Sequence, residues 1–344
     1  MKILGIETSC DETAAAVVED GTHLLSNVVA SQIDIHAEFG GVVPEVAARS
    51  HIEVMVPVIR KALSEAKLGW DDIDAIAVTQ GPGLIGSLLI GTLTASTLAT
   101  LKHKPLIPVD HVEAHMYANF LGQPQPRFPI LALIVSGGHT QLVLLREHGD
   151  YEVLGRTLDD AAGEAFDKVA KIIGLPYPGG PAVAEAAKHG NDRAFTFPKP
   201  QLGNDSLNFS FSGLKTAVRR TAGAAVGRDF RTPSHELPAL LSPTQRDDIA
   251  ASFQRRVVSI LVDRIAQAYE QYLPASVIVA GGVAANQALR QELTQKLPIA
   301  ITFALLNLCT DNAAMIASLG YFNAKAHKQA ANPAILPPNP ILSM

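Results

Sequence analysis

His111-Val112-Glu113-Ala114-His115 places two imidazoles four residues apart. On a helix each residue advances about 100°, so the pair shares one face within about 40° and can grip one metal ion from the same side. Asp110 precedes the pair as a candidate helix N-cap. Glu113 falls roughly 200° away on the helical wheel. That separates the segment from the zinc-protease pattern, where a glutamate directly follows the first histidine and acts as general base. Two imidazoles are too few for a tight site. Asp311, at the start of the final helical segment, is the candidate third ligand. Two histidines and one carboxylate would leave positions open for substrate, as in non-haem iron and catalytic zinc sites. The plainer alternatives are a helix with two surface histidines and an aspartate that only caps its own helix.

Three loops could hold a polar ligand. Glu7-Thr8-Ser9-Cys10-Asp11-Glu12-Thr13 sets small hydroxyl residues and carboxylates where a hairpin turn would ordinarily carry Asn-Gly. Ser136-Gly137-Gly138-His139-Thr140 has two glycines through which backbone N–H groups can approach an anion. Ala280-Gly281-Gly282-Val283-Ala284-Ala285-Asn286 follows a strand and leads into a helix, a setting that suits a nucleotide. Each loop alone is an ordinary turn. Their recurrence at equivalent places in the chain is what carries weight.

The elements that must position these loops occur in one order, twice. Strand-like runs at 2–8, 13–19 and 23–30 are followed by a helical segment at 46–68, a strand at 73–79, a helix at 84–101, a strand at 105–109 and the histidine helix. The second half repeats this with strands at 129–136, 140–146 and 151–157, helical segments of which 244–272 is the longest, a strand at 276–280, a helix at 284–295, a strand at 299–303 and a helix at 312–326. The expected fold is α/β, with two lobes of mixed sheet flanked by helices and a ligand cleft between them. The expected division is an N-terminal lobe at 1–127, joined by the tail at 318–344, and a C-terminal lobe at 128–317. An insertion at 197–242, rich in proline, glycine and charge, holds one short helix near 213–221.

Composition bounds the answer. The chain has 344 residues, long for one core and comfortable for two domains. Apolar residues make up 47% and charged residues 18%, in keeping with a well-buried α/β protein. Two cysteines exclude a disulfide framework and a four-cysteine zinc site. Met1-Lys2 leads straight into strand-like sequence with no signal peptide, so a reducing, cytoplasmic setting is expected. The uncharged stretch 75–101 is broken by Gln80-Gly81-Pro82-Gly83 and reads as a buried strand and a buried helix rather than a membrane span. With a net charge of −5, nucleic acid would have to use a local basic patch. Lys215, Arg219, Arg220, Arg228 and Arg231 are candidates for one, with a solvated charged loop as the alternative.

The duplicated order and paired glycine loops resemble the superfamily of actin, Hsp70 chaperones and sugar kinases, an analogy that fixes no reaction. Longer motifs narrow it: Ile3-Leu4-Gly5-Ile6-Glu7-Thr8-Ser9-Cys10-Asp11-Glu12-Thr13, Gly40-Gly41-Val42-Val43-Pro44-Glu45, the histidine pair, Ser136 to Thr140, Asp160 to Lys168, Tyr177-Pro178-Gly179-Gly180-Pro181, Phe209 to Lys215 and Cys309 to Ala317. Together they resemble the bacterial TsaD (Gcp/YgjD) family from Met1 to about Ala326.

The resemblance implies transfer of a threonylcarbamoyl group from threonylcarbamoyl-AMP to N6 of the adenosine at position 37 of tRNAs reading codons that begin with A. It implies that His111, His115 and Asp311 bind iron or zinc. Ile134, Val135, Ser136, Gly137, Gly138, Asp167, Gly180 and Asn286 would hold the substrate and its adenylate part. Asp11 and Glu12 would lie at the reacting groups, Asp11 as the candidate acceptor of the N6 proton. ATP or ADP with Mg2+ is a further candidate ligand. The implied partners are tRNA, a TsaB-like paralogue, a TsaE-like ATPase and the synthase that supplies the donor. The competing readings are a kinase or ATPase of the same superfold and a metalloprotease. The first needs no histidine pair, and the second lacks its base.

Overall fold

The computed structural model describes residues 1–122, 124–203, 205–229, 232–326 and 330–344. It divides into two compact units. Unit 1 comprises Met1–Phe128, Leu145–Tyr151 and Ala304–Met344, and unit 2 comprises Pro129–Leu144 and Glu152–Phe303.

Unit 1 opens with β1 (Lys2–Glu7), β2 (Glu12–Glu19) and β3 (His23–Ser31), then α1 (Ile33–Ala37) and α2 (Pro44–Glu65). It continues with β4 (Ala75–Gly81), α3 (Ile85–Lys102), β5 (Leu106–Asp110) and α4 (His111–Tyr117). Its sheet runs β3-β2-β1-β4-β5. β1 to β3 are antiparallel neighbours, while β1, β4 and β5 run parallel. In unit 2, apart from the Leu145–Tyr151 hairpin end that belongs to unit 1, β6 (Ile130–Val135), β7 (Thr140–Glu147) and β8 (Asp150–Arg156) precede α5 (Ala162–Ile173), α6 (Gly179–Ala187), α7 (Ser212–Ala225), α8 (Leu237–Leu240) and α9 (Pro243–Tyr272). β9 (Ser276–Ala280), α10 (Gln287–Lys296) and β10 (Ile301–Phe303) complete it, and its sheet runs β8-β7-β6-β9-β10. With β6 matched to β1, this is the same order, so the duplication expected from the sequence is present.

Packing follows the two-residue period of the strands. Leu4 and Ile6 of β1 join Ala15 and Val17 of β2 in a core with Met55, Val58, Ile59 and Ala62 of α2 and Ala95 and Ala99 of α3. Gly5 faces the other way, where α11 (Ala313–Lys325) crosses the sheet. A Cβ at Gly5 would collide with the carbonyl of Ala313 and the amide of Ala317.

Three expectations need correction. Residues 304–317 belong to unit 1, not to the C-terminal lobe, because the chain leaves unit 2 after β10 and α11 packs on β1 and β2. α3 is only half buried: Ile85, Leu89 and Leu93 are exposed, spaced four residues apart on one face. It is nonetheless the one helix among the described residues long and apolar enough to cross a membrane. The insertion, expected to hold one short helix at 213–221, holds α7, which runs to Ala225, and also α8; Arg231 lies outside the described residues.

Candidate metal centre and substrate loops

Asp110 caps α4, accepting hydrogen bonds from the backbone N–H groups of Val112 (2.8 Å) and Glu113 (2.9 Å). That fixes the first turn, from which His111 and His115 project on one face. Their rings meet edge to face with centroids 4.8 Å apart. Asp311 Oδ1 lies 3.6 Å from His111 Nε2 and 3.5 Å from His115 Nε2. One donor atom from each residue falls within 4.8 Å of the other two. His115 is fully buried and His111 nearly so, while the Asp311 side chain is 22% exposed. Asp311 does not cap its helix. Asn312 does, accepting from the Met315 N–H at 3.1 Å, which leaves the Asp311 carboxylate to face the imidazoles. All three residues belong to unit 1, which corrects the expectation that the aspartate comes from the other lobe.

Beside the cluster, Glu7 ends β1 fully buried. Its Oε2 accepts from Thr79 Oγ1 and from His111 Nδ1 (3.1 Å), and its Oε1 accepts from the Ser9 N–H. Burial pushes the Glu7 carboxyl up, but the charge of His111 and these hydrogen bonds outweigh it and hold Glu7 below the usual carboxylate range. Burial alone would lower His111, and the Glu7 and Asp311 carboxylates overcome that, raising it to about 9. Burial raises Asp311 to about 6 against the pull of His111. Asp11 is buried and Glu12 half-buried in the adjoining turn. Burial, then Asp311 and Asp11, raise Glu12 to about 9, so at neutral pH it is an acid hydrogen-bonded to Asp11. The Cys10 thiol is pushed up by burial and by Asp11 and Asp311, which makes it a poor nucleophile. Glu113 is buried, and its charge acts on Tyr117 and Tyr151.

In unit 2 the expected substrate residues gather around α5. Ile134 and Val135 are buried at the end of β6. Gly163 and Glu164, in the first turn of α5, donate to the carbonyls of Ser136 (3.2 Å) and Gly137 (3.1 Å). One turn on, Asp167 Oδ1 accepts from the Gly179 N–H at 2.7 Å and so holds the start of α6, where Gly180 sits. Gly281, at φ +92°, packs against the Val135 carbonyl. Gly137, Gly138, Gly180 and Gly282 have open space where a Cβ would stand. Asn286 caps α10 by accepting from Leu289 N–H (3.1 Å) and donates to Gln254 Oε1 (2.7 Å), so its side chain is engaged within the fold.

A family model described as TsaD, tRNA N6-adenosine threonylcarbamoyltransferase, matches residues 23–318. The enzyme of that name from Thermomicrobium roseum is 53% identical over 94% of this chain and 92% of its own length. Those from Dehalococcoides mccartyi and Bacillus cereus are 50% and 49% identical, covering 96% and 97% of this chain and 95% and 96% of theirs. The chain belongs to the TsaD family. Among solved structures, HypF from T. kodakarensis matches with a TM-score of 0.58 at 14% identity, over 95% of this chain and 48% of that one. Component A of the Acidaminococcus fermentans (R)-2-hydroxyglutaryl-CoA dehydratase matches with a TM-score of 0.52 at 17% identity, over 95% and 100%. These likenesses bear on fold alone, and agree with the duplicated α/β arrangement described above.

For a TsaD chain, the donor set fits a divalent transition metal. Two imidazole nitrogens and a carboxylate suit iron or zinc. Glu7 supplies the outer carboxylate such sites use: by accepting the Nδ1 hydrogen of His111, it turns Nε2 toward His115 and Asp311. Glu7 and Thr79 were not legible as site residues. The available signal was a carboxylate ending an otherwise apolar buried strand, Ile3-Leu4-Gly5-Ile6-Glu7.

Proposed function

We propose that this chain takes a threonylcarbamoyl group from threonylcarbamoyl-AMP and transfers it to N6 of the adenosine at position 37 in tRNAs reading codons that begin with A. What carries the reading is identity at about half of all positions, over nearly the full length, to enzymes named for the tRNA reaction. The convergence of His111, His115 and Asp311 supports a metal-assisted form of it.

His111, His115 and Asp311 would hold one iron or zinc ion, which supplies Lewis acidity toward the carbamoyl carbonyl. The N6 lone pair attacks the carbamoyl carbon, and the bond from that carbon to the phosphate oxygen breaks. The electron pair leaves with AMP. Asp11 accepts the N6 proton as the new C–N bond forms. Glu12, an acid at neutral pH, donates its hydrogen bond to Asp11 and orients it. In unit 2, the N–H groups of Gly137, Gly138 and Gly180 would take up charge on the departing adenylate, where the bare glycines let it come close.

This reading also requires the cytoplasm, where tRNA is available, and helper proteins: a paralogue and a small ATPase. Ile52 and Val56 of α2, and Ile85, Leu89 and Leu93 of α3, are the exposed apolar side chains it offers the paralogue. Lys215, Arg219, Arg220 and Arg228 are the basic groups it offers tRNA.

The test is reconstitution with threonine, bicarbonate, ATP, tRNA, the donor synthase and both helpers, with nucleosides analysed by mass spectrometry. N6-threonylcarbamoyladenosine is expected. No modified adenosine with every partner present would sink the assignment.

A further inference from the structure

The turn that carries Asp11 is held by its carbonyl groups. The Ser9 carbonyl accepts from the Leu84 N–H at 2.8 Å, and the Asp11 carbonyl accepts from the Gln32 N–H at 3.2 Å. Between them, the Cys10 carbonyl takes two donors, His51 Nε2 at 2.9 Å and Ser87 Oγ at 3.1 Å. Three consecutive carbonyls are therefore tied to three different helices or helix entries. His51 is fully buried on α2. Its other nitrogen, Nδ1, lies 2.7 Å from Thr13 Oγ1 on β2.

The partners fix the tautomer. A carbonyl oxygen can only accept, so the ring hydrogen sits on Nε2. Nδ1 is then a lone pair and accepts the Thr13 hydroxyl hydrogen. Burial keeps His51 below its ordinary range, consistent with a neutral ring that uses one nitrogen as donor and the other as acceptor. The ring thus spans from β2 to the peptide that joins Cys10 to Asp11.

We propose that His51 is a positioning residue for the transfer reaction: as the Nε2–H tautomer it clamps the Cys10 carbonyl, jointly with Ser87, and so aims the Asp11 carboxylate. This rests on the reading of Asp11 as proton acceptor. A carboxylate displaced by an ångström loses catalysis by up to about 100-fold without a change in what the enzyme binds.

Four proteins test it in the reconstituted system: His51→Ala, His51→Gln, Asp11→Ala and the double variant His51→Ala/Asp11→Ala. His51→Ala is expected to lower kcat by about 10- to 100-fold while KM for tRNA and for donor stays within about twofold. His51→Gln, whose amide can still donate to the Cys10 carbonyl, should recover most of that loss. Adding His51→Ala to Asp11→Ala should cost nothing further, because the two act along one route. Hydrogen exchange of peptides covering 8–14 reads the clamp without any turnover: it should quicken in His51→Ala and stay native in His51→Gln. Should His51→Ala fail to fold, Ser87→Ala, which removes the other donor to the same carbonyl, takes its place with a smaller kcat loss expected. Native kcat and native exchange in His51→Ala, multiplying losses in the double variant, or equal losses in His51→Ala and His51→Gln would each overturn the proposal. Native kcat in Asp11→Ala would instead overturn the base reading, leaving the clamp to be judged by exchange.

Discussion

The β1–β2 turn of unit 1 and the β6–β7 turn of unit 2 occupy the same place in the same strand order, and they are built in opposite senses. In the first, the backbone is used up. Its carbonyls are bound to α2, α3 and the start of α1, and its chemistry is left to the side chains of Glu7, Asp11 and Glu12. In the second, the Ser136 and Gly137 carbonyls are tied to α5, and two successive residues carry no side chain. Gly137 and Gly138 stand in open space, and what they present is peptide. On the proposed function, a duplicated fold divides the labour between side-chain carboxylates, which would hold and move protons, and backbone N–H groups, which would accommodate charge.

That contrast can be broken most forcefully at the cluster. Asp311→Ala should weaken iron or zinc binding, measured by chelator competition, by more than the roughly 10- to 100-fold expected for Glu7→Gln, which removes only the outer partner of His111. Equal losses would mean that Asp311 is not a ligand.

Glycine substitutions sharpen the other half. Gly137→Ala has room for its methyl group, so the unfolding midpoint should hold while donor KM rises about tenfold as the anion is pushed from the backbone. Gly163→Ala would set a Cβ 2.6 Å from the Ser136 carbonyl and 2.8 Å from Gly137 Cα. It should cost about 1–3 kcal/mol of stability, read from denaturant melts. If Gly137→Ala is the less stable of the two, the open-turn description is wrong.

The last test concerns unit 1 alone. His148 stacks on Phe322 with ring centroids 3.8 Å apart, and burial lowers it to about 4. The unfolded chain therefore takes up this proton before the folded protein does. The stability it carries is whole above about pH 6.5, falls as pH drops toward 4 and levels off below. Urea melts at pH 7.5, 5.5 and 4.5 check the slope, and His148→Phe should flatten it.

Much of this was legible in the chain. The strand order followed from period-two apolar runs and turn signals, and the histidine pair followed from its spacing on a capped helix. Asp311 was found as a residue and placed at the start of the final helix, but assigned to the wrong lobe. Reading along the chain grouped it with the strands just before it, and nothing local announces that α11 turns back across β1. Asn312, the true cap, was one position away from the aspartate suspected of that role. Glu7, Thr79 and His51 escaped for a different reason. Their partners lie between 38 and 104 residues off, and a buried polar contact of that range leaves no periodic trace. The exposed side of α3 was hidden because an apolar helix looks the same whether its second face meets a core or a partner.

Unit 2 is inserted in sequence between the two halves of the metal cluster. A ribosome delivers both histidines early, makes the whole of unit 2, and only then supplies Asp311 and α11. Until that helix has emerged and crossed the first sheet, the nascent chain has no third ligand and β1 has no cover on its Gly5 face. Unit 2 is free to fold first. Chains interrupted before α11 would lack Asp311, and with it the carboxylate that faces the two histidines.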